Sequence, residues 1–209
     1  MEKEIKQSEI KKVIKDILVL RDDLVRIGHR VTPDIAGFYG EVMAWQKLQN
    51  IFGTKGYKVK FGSGQSRADI ELWKGNKKIN VEVKTSRLKK EGPGTLYGFA
   101  INIKKCKLHP EAILIHPKRG KVKGDFCYFD YLLAVTLSDD LRKVKFYVFP
   151  KKFLGAHEQY LRNRSRRFSS ATHRIIFVEK PSDPEEITKF DRHLVKNRKR
   201  FESAWHLIK

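Results

Sequence analysis

Residues 67–84 read RADIELWKGNKKINVEVK, and their alternation decides the fold. Two stretches, 67–73 and 78–84, flank Lys74-Gly75-Asn76-Lys77, a strong signal for a two-residue hairpin. With Gly75-Asn76 as the loop, Lys74 faces Lys77, Asp69 falls opposite Glu82, and Arg67 falls opposite Lys84. Side chains alternate between faces along a strand. One face therefore carries Ile70, Leu72, Ile79, Val81 and Val83, an apolar stripe made for a core. The other carries Asp69, Glu71, Asn80, Glu82 and Lys84.

Two carboxylates facing each other across a ladder, Cβ atoms about 4.5–5.5 Å apart, repel. A sequence serving sheet stability alone would avoid Asp69 opposite Glu82. A divalent cation between them removes the conflict, because hard cations such as Mg²⁺ take carboxylate oxygen. Lys84 points to the same side and can orient a water or stabilise charge on a phosphate. The competing reading is the solvated outer face of a two-stranded ribbon.

Helices are expected on both sides of this hairpin. Residues 4–27 place Ile5, Ile10, Val13, Ile14, Ile17, Leu18, Leu24 and Val25 near a helical period, with Gly28 as the stop. Thr32-Pro33-Asp34 is a helix start, Thr32 the cap and Pro33 in the first turn. That second helix runs to about Phe52, with Ile35, Phe38, Val42, Trp45 and Leu48 on its apolar side and Glu41 at the stripe's edge. Residues 57–61 read as a strand, 85–98 as a loop, and 100–108 as either helix or strand. Residues 112–116, 128–137 and 145–149 suit buried strands, and 175–178 a late one. Pro181 to Glu186 starts a closing helix over 187–208.

The 209 residues are 40% hydrophobic and 11% aromatic, which excludes a disordered basic tail and allows one core-bearing domain. Without a repeat or linker, a single domain is expected: residues 1–30 a helical extension, 31–150 the catalytic core, and 151–209 a basic loop and C-terminal helix. Residues 1–15 are charged, unlike a signal peptide, and no apolar run approaches ~18 residues, so a cytoplasmic protein with no membrane association is expected. Cys106 and Cys127 form no Cys-x-x-Cys pair, which argues against a cysteine zinc site. No histidine pair or phosphate-binding glycine loop is present, disfavouring histidine-based nuclease chemistry and a nucleotide cofactor.

Forty-five Lys and Arg against 24 Asp and Glu leave a net charge of +21. Such an excess favours a polyanionic partner, nucleic acid before an anionic membrane, since counterion release drives that binding. A lysine-rich, heat-adapted surface explains paired charges but not this imbalance. Candidate DNA contacts are Gln65, Ser66 and Arg67 leading into Asp69, Lys104 and Lys105 after the hairpin, and Arg162, Arg164, Arg166 and Arg167. Each has a plain alternative as ordinary loop or surface charge.

These residues resemble the PD-(D/E)XK nuclease superfamily: Glu41 on a helix, Asp69 on the first hairpin strand, and Glu82-Val83-Lys84 on the second. The resemblance covers residues 37–88 and the tail to about 149. It departs at Ala68, where the family motif has proline. It implies a restriction-endonuclease-like α/β core, a mixed central sheet flanked by helices, with extra N- and C-terminal helices. It implies Mg²⁺-dependent hydrolysis of DNA phosphodiesters, Mn²⁺ expected to substitute. Asp69, Glu82 and the Val83 carbonyl would hold the metal, Lys84 would position water, and Glu41 would assist through a water or second metal. Within the superfamily the chain is most like a type II restriction endonuclease acting on double-stranded DNA as a homodimer. A Holliday-junction resolvase, a repair nuclease, an RNA-processing enzyme and a non-catalytic nucleic-acid-binding module remain open.

Overall fold

The computed structural model describes residues 6–29, 31–62, 68–87, 96–102, 114–116, 120–122, 129–138, 140–156, 172–178 and 199–209. Helix α1 spans Gln7–Arg26. The backbone N–H of Lys6 donates to the Glu9 carboxylate at 2.9 Å, closing its first turn. Gly28 ends it as expected, in the left-handed region at φ 77°. There Gly28 N–H bonds Val25 O and His29 N–H bonds Leu24 O, satisfying two terminal carbonyls in a Schellman arrangement. Ile10, Ile17 and Arg21 are buried, with Val13, Ile14, Leu18 and Leu24 packed alongside. Val25, expected inside, is instead exposed. Arg21 takes the inward position one turn after Ile17 and pairs with Asp22 at 2.9 Å.

Helix α2, Pro33–Phe52, begins and ends where the sequence indicates. Thr32 Oγ1 accepts from Ile35 N–H at 3.4 Å. That bond is long, so Thr32→Ala is expected to cost about 0.5–1 kcal/mol, the low end for a cap. A urea melt unchanged by the substitution would show that packing alone starts the helix. Ala36, Tyr39, Gly40, Val42, Ala44, Trp45, Leu48 and Phe52 are buried. The inward face is rotated from the expected stripe, so Phe38 is left exposed. The helix is buried widely because it packs against α1 as well as the sheet.

The sheet contains β1 (Lys58–Phe61), β2 (Ile70–Lys74), β3 (Lys77–Arg87), β7 (Tyr131–Leu137) and β8 (Val144–Pro150), in the order β1-β2-β3-β7-β8. Every neighbouring pair is antiparallel except β3–β7, which is parallel. The protein is therefore a mixed α/β fold, its five-stranded mixed sheet flanked by helices. Two further antiparallel pairs join β4 (Leu96–Asn102) to β9 (Thr172–Val178) and β5 (Leu114–His116) to β6 (Gly120–Val122).

The β2–β3 register keeps the expected pairing, from Lys74 opposite Lys77 to Ile70 opposite Val81. Gly75 has φ +56° and Asn76 is not among the positive-φ residues, which fits the first position of a type II′ turn. Ile70, Leu72, Ile79, Val81 and Val83 are buried, with α2 covering the sheet.

Two expectations are corrected and one open alternative is resolved. The segment 85–98 is not a continuous loop: β3 runs to Arg87, held by parallel pairing with Leu137, and β4 starts at Leu96. Residues 100–102 resolve as strand within β4; 103–108 lie outside the described residues. The closing helix does not reach Ile208. Helix ends at Phe201, Glu202 bridges Tyr147 in β8, Ser203 turns through φ 50°, and a 3-10 turn covers Trp205–Leu207. Short α3, Lys151–Ala156, follows β8. Phe153 and Phe201 gather around Phe149, with ring centroids 6.0 and 4.9 Å from it.

Candidate active site

The parallel strands β3 and β7 set the surroundings of the expected chemistry. Glu82 pairs in register with Leu132 and Lys84 with Ala134, so the polar face of β3 continues into an apolar strand. Glu82 is only 5% exposed. Glu71 is likewise buried, held by Lys78 at 2.6 Å and by Trp73 Nε1–H at 2.9 Å. Glu71 and Glu82 are thus buried, unlike residues on the solvated outside of a ribbon, while Asp69 and Lys84 stay partly exposed.

Asp69 stands just before β2, not inside the ladder with Glu82 as the register alone suggested. Hydrogen-bonded pairs recur every second residue, so an extended ladder would offer Val83 N–H to the backbone of Ala68. Instead Asp69 Oδ2 accepts that N–H at 2.7 Å, while Asp69 O accepts from Gly62 N–H at 2.8 Å. The main chain turns toward β1, and the carboxylate replaces the missing rung. Asp69 thereby remains beside the Glu82–Lys84 segment.

Lys84 gathers the site. Its ammonium ion-pairs with Glu82 Oε1, donates to the Val83 carbonyl at 3.1 Å, and lies 3.7 Å from Asp69 Oδ2. Burial favours loss of its proton, but Glu82 and Asp69, with Glu41 behind them, outweigh it and hold the pKa above the ordinary lysine value. Lys84 stays charged at neutral pH.

Glu41 arrives from α2. A Cβ built on Gly40 would lie 2.0 Å from Thr85 Oγ1, so a glycine there lets the helix sit directly on β3. Thr85 Oγ1 also reaches Gly37 O at 3.5 Å. The next helical residue is Glu41, half-buried. Burial raises its pKa, and Asp69 and Glu82 raise it further against the opposing pull of Lys84. The Gly40–Thr85 seat was not recognised in the sequence; its signal was glycine inside a helix, normally worth about 1 kcal/mol less than alanine.

The structure thus brings Glu41, Asp69, Glu82, Val83 and Lys84 into one neighbourhood. Gln65, Ser66, Arg67, Lys104, Lys105, Arg162, Arg164, Arg166 and Arg167 lie outside the described residues. Among the described residues, no group of three or more His, Cys, Asp or Glu side chains is arranged to hold a metal ion. What converges is two carboxylates and a carbonyl, all hard oxygen donors suited to Mg²⁺.

No family model matches the chain, and no curated protein matches it. Among solved structures, the chain is similar to a bacterial homing endonuclease, I-Ssp6803I, at a TM-score of 0.43 and 15% identity, over 85% of this chain and 93% of that one. No helix among the described residues is long and apolar enough to cross a membrane.

Proposed function

We propose that the protein is a metal-dependent endonuclease that hydrolyses phosphodiester bonds of double-stranded DNA, of the type II restriction kind. The observation that carries this reading is the convergence of Asp69, Glu82 and the Val83 carbonyl on the Lys84 ammonium, with Glu41 coupled electrostatically. Asp69, Glu82 and the Val83 carbonyl would hold Mg²⁺, or Mn²⁺ in its place. When bound, the ion would polarise the phosphate and favour hydroxide over water as nucleophile. Lys84, charged at neutral pH, neutralises charge developing on the phosphate oxygens. Glu41, its pKa raised by burial and by Asp69, is a better proton acceptor for the attacking water than an exposed carboxylate. The net charge of +21 supports a polyanionic substrate.

A homodimer accounts for cutting both strands, since one such cluster hydrolyses one strand and a two-fold pair presents two. Val19, Leu20 and Val25 on α1 are exposed and apolar, making that helix the candidate contact.

The test is incubation with phage DNA, with and without Mg²⁺, read on a gel. Discrete double-strand fragments with Mg²⁺, abolished by EDTA while DNA binding persists, are the expected result. A smear would replace sequence-specific cutting with nonspecific cutting. Accumulating nicks would remove the dimer. Cutting that survives full chelation, or a mobility shift without cutting in Mg²⁺, would overturn the metal-nuclease reading.

A further inference from the structure

The three groups expected to take the metal already share a cation. We propose that Lys84 is the resident counter-ion of this site, and that metal binding is an exchange in which the Lys84 ammonium leaves the oxygens the metal takes. The proposal rests on the metal reading above and adds a step to it.

The contacts make the case. Lys84 Nζ engages Glu82 Oε1, the Val83 carbonyl at 3.1 Å and Asp69 Oδ2 at 3.7 Å. Three carboxylates influence this ammonium, and without a positive charge among them they would repel one another. Lys84 therefore keeps the metal-free cluster compatible with a folded strand end. A divalent ion bound to the same oxygens would meet the ammonium at contact distance, where like charges in a partly buried site repel strongly. Both cannot hold the same three groups.

An exit exists. The Lys84 side chain is 30% exposed against 7% for Glu82, so the stem can carry its charge outward while the acid stays. Four flexible carbons let the ammonium move without the strand moving. Once released, it is free to meet a phosphate. DNA that holds Lys84 outward would strengthen metal binding, and metal would strengthen DNA binding by the same factor.

The experiment uses the full chain without DNA and Ca²⁺ as the probe ion. Titration calorimetry compares the parent with Lys84→Met, which keeps most of the stem and removes the charge. The variant is expected to bind Ca²⁺ on the order of tenfold more tightly, within the usual range of coupling between sites. Ca²⁺ should also raise the variant's Tm more than the parent's. In the parent, Ca²⁺ should increase acylation of Lys84 by an amine-reactive ester, mapped by peptide mass spectrometry, relative to other lysines. That labelling decides the matter alone if the variant does not fold. Ca²⁺ affinity equal to or weaker than the parent's, or Lys84 labelling unchanged by Ca²⁺, overturns the exchange while the metal site stands. No Ca²⁺ binding by either protein overturns both.

Discussion

Asp69→Asn and Lys84→Ala are each expected to cut duplex DNA roughly 10²–10³-fold more slowly than the parent while remaining folded, the usual cost of losing one preorganised charge stabiliser. Asparagine is the sharper choice at position 69. Its amide oxygen can still accept the Val83 N–H that Asp69 Oδ2 accepts at 2.7 Å, so the strand end is kept while the charge is lost. Lys84→Ala removes the ion pair between the Lys84 ammonium and the buried Glu82 carboxylate. Some stability is lost, but the apolar face of the hairpin, Ile70, Leu72, Ile79, Val81 and Val83, is untouched. Single-turnover cleavage at saturating DNA and Mg²⁺ separates chemistry from binding, with circular dichroism as the folding control. A variant that cuts within about threefold of the parent would remove that residue from the site, because 10² in rate is about 2.7 kcal/mol of barrier.

The hairpin was legible because its signals are local. Period-two alternation and a Gly-Asn turn fix which residues face the core, and the observed register agrees from Lys74–Lys77 to Ile70–Val81. The caps of α2 were legible for the same reason, Thr32 and Pro33 being adjacent to the turn they start. The apolar run in β7 announced a strand buried on both faces.

What escaped depends on distant partners. Nothing in residues 77–87 says that β7, some fifty residues later, pairs with them in parallel. That pairing makes β3 an interior strand of the sheet and places Glu82 beside Leu132. Phe38 and Val25 were misplaced for a related reason: periodicity gives a helix face, but the neighbouring layers choose its rotation. Asp69 shows the limit of extending a register. The arithmetic put it in the ladder, whereas the chain leaves the ladder one residue earlier and uses the carboxylate as the rung. The cluster survives because it needs Asp69 near Val83, not paired with Glu82.

Gly40 supplies the second large effect. Gly40→Ala places a methyl group 2.0 Å from Thr85 Oγ1, 2.7 Å from Thr85 Cγ2 and 2.9 Å from Thr85 Cβ. The last atom is held by the β3 backbone, so rotating Thr85 cannot relieve every contact and α2 must move outward. Overpacking of this kind costs about 1–3 kcal/mol. Against it stands the helix preference of alanine over glycine, about 1 kcal/mol. A tight clash against backbone-linked atoms should outweigh that gain, giving a net loss of roughly 1–2 kcal/mol. Thr85→Ala removes the two closest atoms and leaves the 2.9 Å contact, so the double variant should recover at least about 1 kcal/mol relative to the sum of the singles. Cleavage adds an independent readout. Glu41 follows Gly40 on the helix, and a displacement near 1 Å at a reacting group can cost on the order of 10² in rate. Gly40→Ala should therefore cut slowly under conditions where it is fully folded, and Thr85→Ala should restore part of that rate together with the stability. If Gly40→Ala melts with the parent and cuts at its rate, α2 is not seated through this contact, and Glu41 owes its place beside Asp69 and Lys84 to something else.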